Sequence, residues 1–350
     1  MSLSCCNFVT RKEIKYIDLK MKRTTKICKP LLGLLLLCLF SILPTKAQEE
    51  ASASSEKVVK PKAVADMTFT YAIRESDTLK LDIYRPAAGS ETTYHGKQKP
   101  TILYVFGGGF IGGSRDEGYN REFFYKFIQE GYRVVAIDYR LGLKGVHKMG
   151  VGQAKVLQNA IMMGTEDLLA ATLWITRYGS QVGVDPSNIV LCGSSAGAII
   201  CMQTIYELSN HTRLTRILPK SFQYAGVMSF AGAILSTKGK LRFKEPPCPT
   251  MLLHGTNDRL VVYHSIQVLN VGFFGSDCIA ERYKKYGFPM RFYRHKDHGH
   301  EIASIIGESM TEINAFIKED VMDKRASHID ETIDSTWIPV WNISPADVYK

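Results

Sequence analysis

The sequence predicts an α/β fold, with a mostly parallel sheet of eight strands and helices on both of its faces. Short apolar runs rich in β-branched residues, at 100–106 and 132–138, are typical of strands buried on both faces. Such runs alternate along the chain with stretches of helical periodicity, as in sheets whose parallel strands are joined by helices. The 350 residues, 45% hydrophobic and 22% charged, are enough to bury a large core.

The first 47 residues have the pattern of a secretory signal peptide. A mainly apolar run at 31–43 follows several basic residues and precedes the small-x-small site Thr45-Lys46-Ala47. The run is shorter than the roughly 20 residues that span a bilayer, so an uncleaved anchor is the less favoured alternative. Met21 is a better start for such a signal than Met1. We expect cleavage, export to the periplasm or the extracellular space, and no stable membrane span.

The basic charge of the chain lies mainly in this leader. Residues 1–47 carry nine Lys or Arg and two acids, a net +7, which leaves +3 of the formal +10 for the rest. No basic stripe remains to bind nucleic acid, so we expect no nucleic-acid partner. Four cysteines follow the leader; a Cys248–Cys278 disulfide is compatible with export but is not required by the spacing. No metal-ligand spacing occurs, and we expect neither a metal nor another cofactor.

The same patterns predict the remaining elements. Residues 48–65 are a polar linker, 66–322 form the catalytic domain, and 323–350 form a C-terminal extension packed on the core as an irregular strap. Alternatively, that extension forms the rim of a binding site. The strands are expected at 67–72, 78–84, 100–106, 132–138, 188–192, 225–230, 249–254 and 290–293, and helices at 121–130, 165–178, 195–208 and 301–319.

A G-x-S-x-G motif stands between the fifth strand and the helix that follows it. It reads Gly193-Ser194-Ser195-Ala196-Gly197. This context predicts a nucleophile elbow, a sharp strand-to-helix turn that exposes the oxygen of Ser195 above the sheet. Glycines two residues before and after the serine allow the tight bend. A plain glycine-rich turn is the competing interpretation.

A serine hydroxyl needs a base, and the base needs a carboxylate to orient it. Asp258 follows the strand at 249–254, at the edge of the sheet where the functional groups of α/β proteins gather; a turn-capping aspartate is the alternative. Three histidines, His295, His298 and His300, precede the last helix, at a spacing that offers no metal-binding face. We favour His300 as the base, because it follows a glycine and directly precedes the helix, with His298 as the alternative. His254 is expected to be structural.

An ester or amide substrate also requires N–H donors for the oxyanion that forms during attack. The residue after the nucleophile, Ala196, supplies one candidate, and the loop Gly107-Gly108-Gly109 after the strand at 100–106 supplies the others. Glycines let the backbone approach the substrate oxygen closely. The loop lacks a G-K-[ST] sequence, so phosphate binding is not favoured.

From about residue 67 to 319 the chain resembles the α/β-hydrolase esterases of the carboxylesterase and hormone-sensitive-lipase type. The matching motifs are Leu81-Asp82-Ile83-Tyr84-Arg85-Pro86, Phe106-Gly107-Gly108-Gly109-Phe110, Asp138-Tyr139-Arg140-Leu141, Asp185-Pro186-Ser187-Asn188-Ile189, Gly193-Ser194-Ser195-Ala196-Gly197, His254-Gly255-Thr256-Asn257-Asp258 and Gly299-His300. The resemblance implies a serine carboxylesterase that uses Ser195, Asp258 and His300, in the chain order of that fold.

One position departs from many relatives. They have a histidine where this chain has Phe106, whereas cholinesterase-like relatives have an aromatic residue there. In the latter branch the second and third glycines of the loop donate to the oxyanion, which implies Gly108 and Gly109. In the branch with histidine the first two donate, so Gly107 stays a candidate.

The resemblance also bears on the substrate. Relatives often insert a helical cap before the acid-bearing strand, but only residues 231–247 lie there, too few for a cap domain. We therefore expect an open site, bordered by 259–286, that takes small-molecule or polysaccharide-borne esters, such as acetyl or feruloyl esters. The alternatives are a serine peptidase of the prolyl-oligopeptidase type, for which no propeller-sized domain is seen, and a non-catalytic binding protein with a hydrolase fold.

Overall fold

A computed structural model describes residues 60–75, 77–147 and 153–349 of the chain. The predicted signal peptide and residues 48–59 of the predicted linker lie outside the described residues. The strands are β1 (Met67–Arg74), β2 (Asp77–Tyr84), β3 (Thr93–Tyr94), β4 (Lys97–Gln98), β5 (Thr101–Val105), β6 (Arg133–Ile137), β7 (Ile189–Ser194), β8 (Gly226–Phe230), β9 (Ala233–Ser236), β10 (Thr250–Gly255), β11 (Ser265–Val268), β12 (Val271–Gly275), β13 (Met290–His295) and β14 (His328–Ile333). The α-helices are α1 (Gly118–Gln129), α2 (Ala154–Tyr178), α3 (Ala196–Ser209), α4 (Ser276–Tyr286), α5 (Met310–Ala315) and α6 (Pro345–Val348).

The main sheet has nine strands in the order β1-β2-β6-β5-β7-β8-β10-β13-β14. From β6 to β14 all neighbours in this order are parallel, while β1 and β2 are added in antiparallel fashion. Every residue of β5, β8 and β10 is buried, as the uninterrupted apolar runs predicted. The predicted α/β class with a mostly parallel sheet is confirmed.

The ninth strand comes from the C-terminal extension, where an irregular strap was predicted. That prediction is wrong for β14, which pairs in parallel with β13 at the edge of the sheet. Its residues are half-buried or exposed and mostly polar, so they show no apolar run. Ion pairs tie the strand to the sheet instead: the Arg294 guanidinium bonds both carboxylate oxygens of Asp330, at 2.6 and 3.0 Å.

The single amphipathic helix predicted at 301–319 is also wrong. The structure has a 3₁₀ turn at His300–Ser304, the helix α5, and a π-helical stretch at Phe316–Met322. Gly307 lies in the break, and the Ser309 hydroxyl donates to the carbonyl of Ile305, a local bond that competes with continued helix. The apolar positions that suggested the helix, including Ile313 and Phe316, are nevertheless buried in the core.

A second, three-stranded antiparallel sheet, β11-β12-β9, is formed by residues on either side of β10. The short segment between β8 and β10 thus contains a strand and a loop, and no helix. All four cysteines among the described residues, Cys192, Cys201, Cys248 and Cys278, are free thiols, so Cys248 and Cys278 do not pair. In the part of the chain described here, no helix is long and apolar enough to cross a membrane.

Candidate active site

Ser195 occupies a strained turn between β7 and α3. Its backbone has φ 51° and ψ −118°, a conformation that non-glycine residues rarely adopt outside functional sites. A Cβ on Gly193 would lie 2.5 Å from the carbonyl oxygen of Gly197. A Cβ on Gly197 would lie 2.6 Å from the carbonyl carbon of Val105, the last residue of β5, and closer still to its oxygen. Gly193 is therefore needed to close the elbow, and Gly197 is needed to pack the elbow against β5.

The structure brings the three predicted residues Ser195, His300 and Asp258 into one hydrogen-bonded chain. The Nε2 atom of His300 lies 2.8 Å from Oγ of Ser195. Its Nδ1 atom lies 2.8 Å from Oδ2 of Asp258. Ser195 follows β7, Asp258 follows β10 and His300 follows β13, so the carboxyl ends of three parallel strands supply the three side chains. All three are at most 9% exposed.

The carboxylate of Asp258 is held by four donors. The amides of Leu260 and Val261 donate to its Oδ1 atom, at 2.8 and 3.0 Å. The other oxygen, Oδ2, lies 2.8 Å from Nδ1 of His300 and 3.2 Å from Nε2 of His254. Burial alone would raise the pKa of Asp258, but the hydrogen bonds from the two histidines outweigh it and hold that pKa well below its usual range. Asp258 is therefore ionised at neutral pH, as an orienting carboxylate must be.

His254 contributes to the site more directly than the sequence indicated. It was predicted to be structural, yet its Nε2 atom contacts Asp258, and its Nδ1 atom lies 2.8 Å from the hydroxyl of Ser276. The sequence signal was the spacing of four residues between His254 and Asp258. The spacing indicates a contact between the two side chains only once the turn after β10 is known to bring them together.

The structure distinguishes between the two candidate bases, His298 and His300. Both ring nitrogens of His298 are engaged elsewhere: Nδ1 lies 2.8 Å from the Glu301 carboxylate, and Nε2 lies 3.0 Å from the carbonyl oxygen of Ser335. His295 lies 2.8 Å from the hydroxyl of Ser335 through its Nδ1 atom. Of His295, His298 and His300, it is His300 whose ring is hydrogen-bonded to Ser195.

The predicted oxyanion donors surround Ser195 on two sides. Ala196 is the first residue of α3, so its amide has no carbonyl one turn earlier in the helix and lies at the positive end of the helix dipole. The glycine loop follows β5. A Cβ on Gly107 would lie 3.2 Å from Oγ of Ser194 and 3.3 Å from Cβ of Ser195, so the loop packs directly on the elbow.

Hydrogen bonds to the loop carbonyls fix the direction of the loop amides. The Tyr139 hydroxyl lies 3.1 Å from the carbonyl oxygen of Phe106 and 3.3 Å from that of Gly107. The carbonyl of Gly108 accepts from two amides further along the loop, those of residues 111 and 112. In a planar trans peptide the carbonyl and the following N–H point in opposite directions. The N–H groups of Gly107, Gly108 and Gly109 are thereby turned away from these partners. The sequence places Tyr139 in a motif but does not reveal this role.

Phe106, the residue that departs from the histidine of many relatives, supports this loop by packing. Its ring stacks on that of Tyr139, with centroids 4.4 Å apart. A Cβ on Gly113 would lie 2.7 Å from the Phe106 ring, so the loop folds back tightly over it. An aromatic ring at this position therefore fills the space beneath the glycines.

One surface cluster among the described residues has the composition of a metal site. His264, Asp277 and Glu281 offer ligand atoms within 4.8 Å of one another, around the start of α4. Asp277 is already paired with the guanidinium of Arg294, and His264 Nδ1 lies 2.8 Å from its other oxygen. These contacts account for the placement of Asp277 and His264, and among the described residues no hydrogen bond joins the cluster to Ser195, His300 or Asp258.

The fold and the elbow define an α/β hydrolase. The model of the Carboxylesterase family matches residues 42–228, more than half of the chain, and the chain belongs to this family. The match includes the glycine loop and Ser195, whereas Asp258 and His300 lie beyond it. The resemblance drawn from the sequence motifs is confirmed.

Curated relatives include lipases and esterases of animals. Human bile salt-activated lipase is 27% identical over 179 residues, which are 46% of this chain and 22% of the lipase. Esterase-5B of Drosophila persimilis is 32% identical over 123 residues, which are 35% of this chain and 20% of the esterase. The chain thus spans about a fifth of the length of these relatives.

Solved structures match over a larger share of the chain. The apo form of esterase 2 from Thermogutta terrifontis has a TM-score of 0.51 and 19% identity, covering 77% of this chain and 98% of that structure. A truncated carbohydrate esterase from gut microbiota has a TM-score of 0.52 and 14% identity, covering 75% of this chain and 99% of that structure. At sequence identities this low, the similarity to these structures shows the α/β-hydrolase fold alone.

Proposed function

We propose that the protein is a serine hydrolase that cleaves carboxylic esters through an acyl-enzyme. The observation that carries the proposal is the hydrogen-bonded chain from Ser195 through His300 to Asp258. His300 Nε2 takes the proton of the Ser195 hydroxyl as Oγ attacks the ester carbonyl, and Asp258 stabilises the imidazolium that forms. The tetrahedral intermediate then collapses, and the C–O bond to the alcohol breaks as His300 returns the proton to the leaving oxygen.

The second half of the reaction reverses these roles. A water molecule gives a proton to His300 Nε2 and attacks the acyl carbon, and the bond to Ser195 Oγ breaks as that oxygen regains the proton. The amides of Gly107, Gly108, Gly109 and Ala196 are the donors that we assign to the oxyanion in both halves. Preorganised donors of this kind usually supply the largest electrostatic share of the catalysis.

We infer that the substrates are small-molecule esters or esters carried by a polysaccharide, with acetyl and feruloyl groups as the finer proposal. The short segment between β8 and β10 supports an open site, because it contains β9 and a loop where a cap domain would be inserted. The fold similarity to a carbohydrate esterase is compatible with a sugar-borne ester. Release of acetate or ferulate from xylan tests the finer proposal, and no release of either acid would refute it.

Two further proposals concern the location and the reaction class. The leader pattern at 1–47 supports export to the periplasm or the extracellular space. Membership of the carboxylesterase family favours ester hydrolysis over the peptidase and the non-catalytic alternatives.

The experiment compares Ser195→Ala with Ser194→Ala on p-nitrophenyl acetate and butyrate. Ser194 is the matched control, since its hydroxyl donates to the carbonyl of Ala303 at 2.8 Å and does not contact His300. We expect Ser195→Ala to lower kcat by about 10⁴-fold or more, while Ser194→Ala stays within about tenfold of the wild type. Full activity in Ser195→Ala would refute the proposal.

A further inference from the structure

The C-terminal segment 334–349 contacts both halves of the candidate active site. Near its start, the carbonyl of Ser335 accepts from His298 at 3.0 Å, and further along, the amide of Trp341 donates to Glu301 at 3.0 Å. At its end, the hydroxyl of Tyr349 donates to the carbonyl of Gly109 at 3.0 Å. One segment therefore connects the loop that carries His300 with the glycine loop.

On the histidine side, the connection passes through the buried carboxylate of Glu301, which is 1% exposed. Its Oε1 atom accepts from the amide of Gly299 and lies 2.8 Å from His298 Nδ1, while its Oε2 atom accepts from the amide of Trp341. Gly299 and Glu301 are the two neighbours of His300 in the chain. The amide of the residue before His300 is thus held by the carboxylate of the residue after it, and the C-terminal segment also binds this carboxylate.

On the glycine side, the connection is a direct packing contact. A Cβ on Gly109 would lie 3.3 Å from the Tyr349 hydroxyl oxygen and 3.4 Å from Cγ1 of Val348. Tyr349 is positioned by α6, whose first residues are capped by Ser344, and its own amide donates to the carbonyl of Pro345 at 3.0 Å. Burial raises the pKa of Tyr349, so its hydroxyl keeps the proton that it donates.

The glycine loop needs such a restraint because of its backbone conformation. Gly108, Gly109 and Phe110 have successive positive φ values of 108°, 62° and 62°. Glycine has access to many other conformations, so a loop of this kind keeps its amides aligned only when its carbonyls are held from outside. The Phe110 carbonyl accepts from the amide of Leu143, and that of Gly109 from Tyr349.

We propose that Tyr349 is a positioning residue for the oxyanion site: its hydroxyl holds the peptide between Gly109 and Phe110, which adjoins the Gly109 amide assigned to the oxyanion, and the segment 334–349 couples the glycine loop to the loop of His300. The inference rests on the proposed ester hydrolysis and deepens it. Tyr349 acts through the Gly109 peptide, and no hydrogen bond joins its hydroxyl to Ser195 or His300 among the described residues. Removing its hydroxyl is expected to weaken stabilisation of the oxyanion while leaving the binding of uncharged substrate nearly unchanged.

The test compares Tyr349→Phe with the wild type and with Tyr178→Phe, a control on an exposed tyrosine of α2. With p-nitrophenyl acetate, Tyr349→Phe should lower kcat about tenfold and change KM less than about twofold, because one hydrogen bond to the loop is lost. A phenylboronic acid forms a tetrahedral adduct with the nucleophilic serine, so its affinity should fall by a similar factor. Tyr178→Phe should match the wild type in both measurements.

The outcomes separate this inference from the proposed function. If Tyr349→Phe keeps the kcat and the boronate affinity of the wild type, the positioning role is refuted while ester hydrolysis stands. A purely structural role would lower the unfolding midpoint while kcat per folded molecule stayed unchanged, and this result would also overturn the inference. If the wild type itself shows no Ser195-dependent hydrolysis, the proposed function fails, and the inference fails with it.

Discussion

Protonation of His295 is expected to couple the stability of the protein to pH. His295 is 4% exposed, its Nδ1 atom lies 2.8 Å from the Ser335 hydroxyl, and its Nε2 atom has no partner among the described residues. Burial, together with the nearby His298, lowers the pKa of His295 from 6.5 to about 4. The folded protein therefore keeps His295 neutral at a pH where the unfolded chain binds a proton.

The sign and size of the effect follow from linkage. Below pH 6.5 the unfolded state binds one more proton than the folded state, so the free energy of unfolding falls as the pH falls, until the folded pKa near 4 is reached. At 1.36 kcal/mol per pKa unit, this interval corresponds to at most about 3 kcal/mol. The full contribution is present above pH 6.5.

The assay is urea unfolding at pH 7.5 and pH 4.5 for the wild type, His295→Asn and His328→Asn. Asparagine cannot take up the proton, and His328 is an exposed histidine on β14 that serves as the control. We expect the wild type and the control to lose about 2 to 3 kcal/mol more than His295→Asn between the two pH values. An equal loss in all three proteins would show that His295 does not couple stability to pH.

Three further predictions concern the elbow and its partners. Gly197→Ala should destabilise the fold by more than about 3 kcal/mol in urea unfolding, because the new methyl group overlaps the backbone of Val105; a stable variant would contradict the described elbow. Asp258→Asn should lower kcat about 10⁴-fold while the protein stays folded, and a loss below tenfold would remove Asp258 from the mechanism. His300→Gln should lower kcat by a similar factor and His298→Gln by far less, both measured on p-nitrophenyl acetate; the reverse order would reassign the base.

The local geometry of the site was predictable where short stretches of sequence determine it. The glycines around Ser195 predict a close approach of backbone segments, and a Cβ at Gly193 or Gly197 would indeed collide with neighbouring backbone atoms. Asp258 was expected at the carboxyl end of a buried strand, which the apolar run of β10 marks clearly. The α/β class followed in the same way from the interior strands, which need no information about the rest of the chain.

The contacts that the sequence did not reveal join residues far apart in the chain. The role of Glu301 depends on the return of Trp341 to the histidine loop, 40 residues later. Tyr349 reaches Gly109 across 240 residues. No local pattern encodes such contacts, since each needs the tertiary fold to be known first.

The edge strand β14 was not predicted from the sequence, for a different reason. A strand at the edge of a sheet buries little surface, so its sequence carries no apolar alternation to detect. Its attachment through Asp330 and Arg294 is an ion pair between two strands that the sequence alone does not align. The helix predicted at 301–319 failed because apolar periodicity reports which residues are buried, and it does not register a break at Gly307.

Covalent labelling shows whether Ser195 is the nucleophile. The intact protein, Ser195→Ala and Ser194→Ala are each treated with a fluorophosphonate, and the adducts are located by peptide mass spectrometry. We expect one adduct per chain, on Ser195, in the wild type and in Ser194→Ala, and no adduct in Ser195→Ala, because among the described residues Ser195 is the serine whose hydroxyl is bonded to His300. An unmodified wild type, or an adduct that persists in Ser195→Ala, would contradict this expectation.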